Sequence, residues 1–219
     1  MCQSYGQEKS IEIDYVVDYE IPSKRNSTVD TISIGFNKDG KYIWTNHNAL
    51  ALSLAKSLVK NSSQDYSKAE SDLILDTEEG ILTLIFKLDR NIIFFSLSLE
   101  TFLPNSNEED LDLITEDSGE IITVLEKEIA VYNMFPSNKP EDVISIATDK
   151  AFNVNNNLIF KKFFEIAFKK SGFSDNSAPT IPSGLIMKIM EDGNTMIEAV
   201  KVDNTKKTIK INYSFKITE

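Results

Sequence analysis

The feature that most constrains this chain is a repeated alternation of apolar and polar residues in short segments. The clearest case spans residues 11 to 21, where every second residue is apolar and the residues between are mostly acidic. Successive side chains of a β-strand point to opposite faces, so this segment has one buried and one solvated face. Its apolar positions are Ile11, Ile13, Tyr15, Val17, Tyr19 and Ile21. Segments of this kind predict a strongly curved antiparallel sheet.

Turn residues separate further segments of the same type. Asn37-Lys38-Asp39-Gly40 predicts a hairpin turn, since glycine tolerates positive φ. A closing hairpin is predicted within residues 181–202, with its turn at Asp192-Gly193. Residues 81–88 and 92–99 are apolar on both faces, which predicts that other parts of the chain cover both sides of these strands.

Two segments have helical periodicity instead. Asn48 is expected to cap a helix, and the apolar positions of that helix are Leu50, Leu54 and Leu58. A second helix is predicted from Leu158 to Lys170, with phenylalanines on one face and lysines on the other. We expect the phenylalanines to pack on the sheet; the alternatives are a lid over an apolar cavity or a helix lying on a membrane surface. The predicted fold class is therefore α+β, an unclosed half-barrel covered by two helices.

Composition favours one domain and argues against common catalytic chemistry. A chain of 219 residues with 41% hydrophobic residues can bury a sizeable core. We predict residues 8–219 to be this single domain. Cys2 is the one cysteine and His47 the one histidine, which excludes an internal disulfide and the usual zinc-hydrolase arrangement. We therefore expect a protein with no metal, no cofactor and no enzymatic activity.

The charge balance bears on partners. The net charge of −11 repels phosphate backbones, so nucleic acid is not an expected partner. No apolar run approaches the roughly 20 residues that a membrane-spanning helix needs. Residues 104–120 are acidic but lack the spacing of a calcium loop, and we expect a solvated loop there.

The first residues suggest export. Ser4-Tyr5-Gly6 places small residues before a polar start, as at a signal-peptidase junction. Residues 1–7 would then be a signal-peptide remnant or a tether, and the protein would be periplasmic or associated with the outer membrane. A second export hypothesis makes Cys2 the acylated residue of a lipoprotein. A cytoplasmic protein with an ordinary N-terminus is the alternative.

The order of elements resembles the unclosed, curved β-barrel of the LolA/LolB-type lipoprotein carriers. Three short segments are similar to uncharacterised Bacteroidetes envelope families: Asp117-Ser118-Gly119-Glu120, the stretch from Pro182 to Ile189, and the stretch from Met196 to Val202. The resemblance covers most of the chain by element order and about the last third by motif. It implies a fold and a compartment, and it carries no lipid-contact residue over to this chain.

Two non-catalytic hypotheses follow. In the first, the protein shelters an apolar ligand, such as an acyl chain or the lipid of a lipoprotein, between the sheet and the helices. The expected lining residues are Phe86, Phe94, Phe95, Phe160, Phe164 and Phe168. In the second, the core is filled and the protein is an envelope scaffold that binds another protein through an exposed strand edge.

A third hypothesis, catalysis by paired carboxylates, is weaker. Glu12 with Asp14, or Asp18 with Glu20, lie on one face of the first predicted strand. The alternation that places these residues there also explains them as a solvent face.

Overall fold

The computed structural model describes residues 8–22, 29–47, 70–88, 91–99, 113–167 and 181–212. Within these ranges the chain forms thirteen strands and one helix. The strands are β1 (Glu8–Ile13), β2 (Tyr15–Pro22), β3 (Val29–Phe36), β4 (Tyr42–Thr45), β5 (Glu70–Asp76), β6 (Ile81–Leu88), β7 (Asn91–Ser98), β8 (Leu113–Val124), β9 (Lys127–Pro136), β10 (Ile144–Asp149), β11 (Leu185–Glu191), β12 (Asn194–Asp203) and β13 (Lys207–Asn212). The helix, α1, spans Asn156–Ala167.

Eleven strands form one antiparallel sheet in the order β7-β6-β5-β4-β3-β2-β12-β11-β10-β9-β8. The chain makes one meander from β2 outward to β7 and a second from β8 inward to β12. The two meanders meet where β2 pairs with β12, in a register that places Tyr19 opposite Ala199. Because β7 and β8 lie at opposite ends of this order, the sheet is unclosed.

A two-stranded ribbon of β1 and β13 leaves this sheet at Asp14. The backbone N–H of Asp14 donates to the Phe36 carbonyl at 2.9 Å, and its carboxylate accepts the Lys38 backbone N–H at 2.9 Å. These bonds hold a corner between β1 and β2. The single strand predicted over residues 11–21 is therefore two strands.

The ribbon covers one face of the first meander. Ile11 and Ile13 of β1, with Ile209 and Ile211 of β13, are buried. They pack against three residues of β4, β5 and β6, which are Trp44, Ile74 and Ile85. Leu84, Ile85 and Phe86 follow one another along β6 and are all buried, so the predicted cover on both sides of this strand is confirmed.

The second meander is also buried on both faces. Val131 and Leu185 belong to a core cluster that includes Val17 and Tyr19 of β2. Met134 and Ile186 belong to a different cluster. The two clusters occupy opposite faces of β9, β10 and β11 because side chains alternate along each strand.

Helix α1 begins against the turn between β3 and β4. Asn155 caps the helix, since its side-chain oxygen accepts the Asn157 backbone N–H at 3.1 Å. The Asn155 backbone N–H donates to the Lys38 carbonyl of the turn at 2.9 Å. A Cβ on Gly40 would lie 2.0 Å from the Asn155 carbonyl oxygen, so this position requires glycine.

The predicted α+β class, a half-barrel covered by two helices, is wrong. The described residues are nearly all sheet, with one helix of 12 residues. The helix predicted after Asn48 lies outside these residues, and α1 occupies part of the second predicted helix. The physical reason for the error is the ribbon, because β1 and β13 cover a face that helices were expected to cover. The antiparallel sheet itself is confirmed.

Candidate functional site

The structure does not gather the predicted phenylalanine lining on one surface. Phe86 and Phe95 share a face of the first meander, and their rings meet edge to face with centres 6.2 Å apart. Phe94 lies on the opposite face and packs near the ribbon. Phe160 is buried on α1 in a cluster with Leu113, Met134, Ile146, Ile181 and Ile186.

Two of the remaining predicted site residues lie outside the described part of the chain. Phe164 lies on α1, within the described backbone. Phe168 and Cys2 lie outside the described residues. Three of the four carboxylates weighed for catalysis have ion-pair or hydrogen-bond partners: Glu12 and Asp14 each lie 3.6 Å from Lys206 Nζ, and Asp18 accepts the Ser33 hydroxyl at 2.6 Å.

A pocket of about 210 Å³ lies between the ribbon and the first meander, lined by both isoleucine and polar side chains. Lys9 of the ribbon pairs with the buried Asp76 at 3.2 Å, and the Thr83 and Ser96 hydroxyls lie 3.2 Å apart. The Asp76 carboxylate also accepts the Glu79 backbone N–H at 3.0 Å. These polar groups form ion pairs and hydrogen bonds with one another. We therefore regard the pocket as part of the packing between ribbon and sheet.

A second polar cluster surrounds Trp44. Its indole N–H donates to Asp72 at 2.8 Å, and Asp72 also accepts Lys87 Nζ at 2.9 Å. Lys207 Nζ lies 3.3 Å from the centre of the Trp44 ring, a cation–π contact. Burial lowers the pKa of Lys207, and the nearby Lys87 lowers it further against the opposing effect of Asp72. The cluster anchors β13 to the sheet.

Strand β8 is the long outer strand of the sheet, with 12 residues. It carries exposed apolar and acidic side chains together: Ile114 is 40% exposed and Ile121 is 66% exposed. Glu116, Asp117 and Glu120 are also exposed. Sequence reasoning placed residues 113–120 in an acidic loop, and that prediction is wrong for these positions.

A bulge divides β8 into two parts. Asp117 pairs with Tyr132 and Ile121 with Ala130, so three residues of β8 oppose one residue of β9. The Ser118 hydroxyl donates to the Val131 carbonyl at 2.8 Å, and Gly119 has a φ of 72°. Bulges of this kind interrupt an exposed edge and limit the length over which another strand can pair with it.

An apolar crevice of about 340 Å³ lies at the first end of β8. Its walls come from the strand ends of the second meander and from the β11–β12 turn, and the lining residues are Leu113, Met134, Phe135, Pro136, Asp142, Val143, Ile144, Glu191 and Asp192. Among the residues that the structure describes, all the charged ones that line it are acidic. No local sequence pattern indicates this crevice, because four strands that are separated along the chain contribute to it.

The described residues contain no group of three or more histidine, cysteine, aspartate or glutamate side chains placed to hold a metal ion. Among the helical residues that the structure describes, none belongs to a helix long and apolar enough to span a membrane.

Comparison with known proteins gives no family. No protein-family model matches the chain, and no curated protein matches it. Two solved structures of PNGF-II, in space groups C2 and P21, are similar to it with TM-scores of 0.38 and 0.39. Their sequence identities are 13% and 15%, and each match covers 86% of this chain. The chain spans 27% and 28% of those proteins, and likeness at this level carries no argument about function.

Proposed function

We propose that this chain is a non-catalytic protein-interaction module whose partner adds a strand to the β8 edge. The observation that carries the proposal is the concentration of exposed apolar residues along this edge. Of the eight large hydrophobic residues that are exposed in the described structure, Ile114, Ile121 and Leu125 lie on β8 or on the turn that follows it. A strand at a sheet edge offers unpaired backbone groups to another chain, and exposed apolar side chains add affinity.

The filled interior supports binding at an edge over binding in a central cavity. Side chains of β2, β9, β11 and α1 meet in one cluster, including Tyr19, Val131, Met187 and Ile159. The opposite face of β9, β10 and β11 packs against Phe160 and Ile181. These residues fill the space between the second meander and α1 with side chains.

Photo-crosslinking within the producing cell tests this proposal. The photoreactive residue p-benzoylphenylalanine would replace Ile114 or Ile121, and Thr205 in the β12–β13 turn is an exposed control position. We expect a discrete crosslinked product from at least one β8 position, containing a polypeptide other than this chain, and none from Thr205. The substitution Ile121→Lys, at a position that is 66% exposed, leaves the core intact and should weaken crosslinking from a photoreactive residue placed at Thr123, which is exposed in the same half of the edge.

Products containing only a second copy of this chain, or equal products from Thr205, would contradict the proposal. The first outcome would make the edge a self-association surface. The second would show that contact at β8 is no more frequent than contact elsewhere on the surface.

Shelter of an apolar ligand is the second candidate, favoured by one observation. Leu84 and Phe86 are fully buried on a face of β6 where Phe95 also packs. Lipid mass spectrometry on a solvent extract of protein from its native source tests it. A stoichiometric acyl species would support this candidate, and an extract without one from folded protein would reject it.

The exported location stays a prediction. Fractionation of the producing cells, with mass spectrometry of the mature N-terminus, would distinguish the secreted, lipidated Cys2 and cytoplasmic alternatives.

A further inference from the structure

We propose that the crevice at the start of β8 selects a partner strand that carries an apolar and a basic residue two positions apart on one face, with a further basic side chain seated in the crevice. This inference rests on the proposed function and names the chemistry of the partner. It concerns the first part of the edge, Leu113–Asp117, which the bulge at Ser118 to Glu120 separates from the part that carries Ile121.

The floor of the crevice is apolar. Leu113 and Met134 are buried there, and Ile144 is half-buried beside them. Leu113 pairs with Pro136 at the first position of the β8–β9 ladder, so the crevice is continuous with the edge. The volume of about 340 Å³ is at the small end of the range for binding pockets, which suits one long side chain better than a whole ligand.

The rim of the crevice is acidic. Asp142, Glu191 and Asp192 line it together with the apolar residues. Lys139 lies 3.9 Å from Asp142, and both side chains are more than 60% exposed, so this pair neutralises Asp142 only weakly. An apolar floor below a carboxylate rim complements lysine or arginine, whose apolar stems are buried while their charged ends stay at the surface.

The edge continues the same charge pattern. Ile114 and Glu116 lie two residues apart and therefore face the same side of β8, where both are exposed. A partner strand would place an apolar residue beside Ile114 and a basic residue beside Glu116. Opposite charges across neighbouring strands stabilise the pair, and like charges destabilise it.

Repulsion between like charges disfavours two alternative occupants of this edge, a second copy of the chain and a fatty acid. A second copy of this chain, paired through its own β8, would bring Glu116, Asp117 and the acidic rim of one copy near those of the other. The net charge of −11 adds to this repulsion. A fatty acid would meet the rim with a carboxylate of its own.

Binding of synthetic peptides to the full chain tests the inference. The probe is the labelled eight-residue peptide Val-Val-Lys-Lys-Val-Val-Lys-Lys, in which valine and lysine alternate along each face of the extended strand, measured by fluorescence anisotropy at low and at moderate salt. Its controls are a peptide of the same composition that alternates lysine and valine along the chain, so that each face carries one residue type, and the probe sequence with glutamate in place of lysine. We expect the probe to bind at least about tenfold more tightly than either control.

Single substitutions then test where on the protein the peptide binds. Asp192→Asn, Asp142→Asn and Glu116→Gln should each weaken binding about two- to fivefold, the range for exposed charge pairs. Asp39→Asn, an exposed carboxylate in the β3–β4 turn, is the matched control and should leave binding unchanged.

Equal binding of the lysine–valine control peptide, or equal weakening by Asp39→Asn, would overturn the inference, because binding would then depend on total charge alone. A dimer in light scattering that the substitution Ile114→Lys abolishes would overturn it as well. If crosslinks from Ile121 persist while the peptide does not bind, the proposed function stands and only this partner chemistry fails.

Discussion

Two buried threonines place their hydroxyl groups in different surroundings. Thr148 on β10 is 2% exposed, and its hydroxyl has no hydrogen-bond partner in the described part of the chain. Thr77, after β5, is fully buried, and its hydroxyl contacts the Gly40 carbonyl at 2.8 Å and the Lys41 carbonyl at 3.0 Å. A buried hydroxyl without a partner keeps its full desolvation cost, whereas a bonded hydroxyl offsets that cost.

Replacing each threonine by valine, which has nearly the same shape, should therefore act in opposite directions. Thr148→Val should raise the free energy of unfolding by about 1 kcal/mol, and Thr77→Val should lower it by about 1 to 3 kcal/mol. Urea unfolding of both variants measures this. A loss of stability in Thr148→Val would show that its hydroxyl makes a bond in solution.

Tyr19 joins the two meanders through one buried hydrogen bond. Its hydroxyl donates to the Ile186 carbonyl of β11 at 2.7 Å, and burial raises the pKa of Tyr19 well above its ordinary value. Because the folded state holds this proton more tightly than the unfolded state, the stability due to Tyr19 is complete below about pH 10 and decreases as the pH rises further.

Tyr19→Phe should lower the free energy of unfolding by about 1 kcal/mol at pH 7. The difference in free energy of unfolding between the two proteins should become smaller above pH 10. The reason is that the side chain at position 19 ionises on unfolding when it is tyrosine and cannot ionise when it is phenylalanine. Urea unfolding at pH 7, 10 and 11 checks this. A difference that stays constant across that range would contradict the assigned cause.

Among the elements, the β8–β9 hairpin has an unfavourable turn. Leu125 and Glu126 have φ values of 49° and 62°, as the central residues of a type I′ turn require. Residues other than glycine and asparagine adopt this conformation at a cost of about 1 kcal/mol or more each. The β11–β12 hairpin uses Asp192 and Gly193 at positive φ, which suits them better.

Leu125→Asn combined with Glu126→Gly should raise the free energy of unfolding by about 1 to 2 kcal/mol. The reciprocal control, Asp192→Leu with Gly193→Glu, should lower it by a similar amount. Thermal unfolding of both double variants measures the effect. Destabilisation of the β8–β9 hairpin by Asn-Gly would mean that Leu125 makes a contact that outweighs its backbone strain.

The elements also differ in how well the sequence indicates them. Strands with one buried and one solvated face, such as β2, are evident from alternation alone. Residues 113–120 of β8 were not predicted as strand because they lie at an edge: Leu113 is buried, and the residues after it are at least partly exposed, so no alternation marks them. The corner at Asp14 was missed because its hydrogen bonds come from Phe36 and Lys38, which are distant in sequence.

The residues of the candidate site also differ in how well the sequence indicates their positions. Phe94 and Phe95 are adjacent on β7, so strand geometry alone places them on opposite faces and argues against one shared lining. The apolar floor and acidic rim of the crevice join β8, β9, β10 and β11. Which strand ends meet is a property of the topology, and local pattern does not contain it.

At the scale of the whole molecule, the ribbon joins the beginning of the described chain to its end. It packs on the first meander over Gly35 of β3, where little space separates the ribbon from the sheet. A Cβ on Gly35 would lie 2.6 Å from Ile13 Cγ2 and 3.0 Å from Trp44 Cε3. Gly35 is therefore needed for close approach of the ribbon, and Ile13 is the residue that fills the space above it.

This arrangement predicts a coupled pair of substitutions. Gly35→Ala should lower the free energy of unfolding by about 1 to 3 kcal/mol through overpacking, and Ile13→Ala by about 2 to 5 kcal/mol through the cavity it leaves. In the double variant the added methyl group occupies part of that cavity, so the loss should be smaller than the sum of the two. A double-mutant cycle in urea measures the coupling, and additivity within about 0.5 kcal/mol would mean that the ribbon does not rest on β3 in solution.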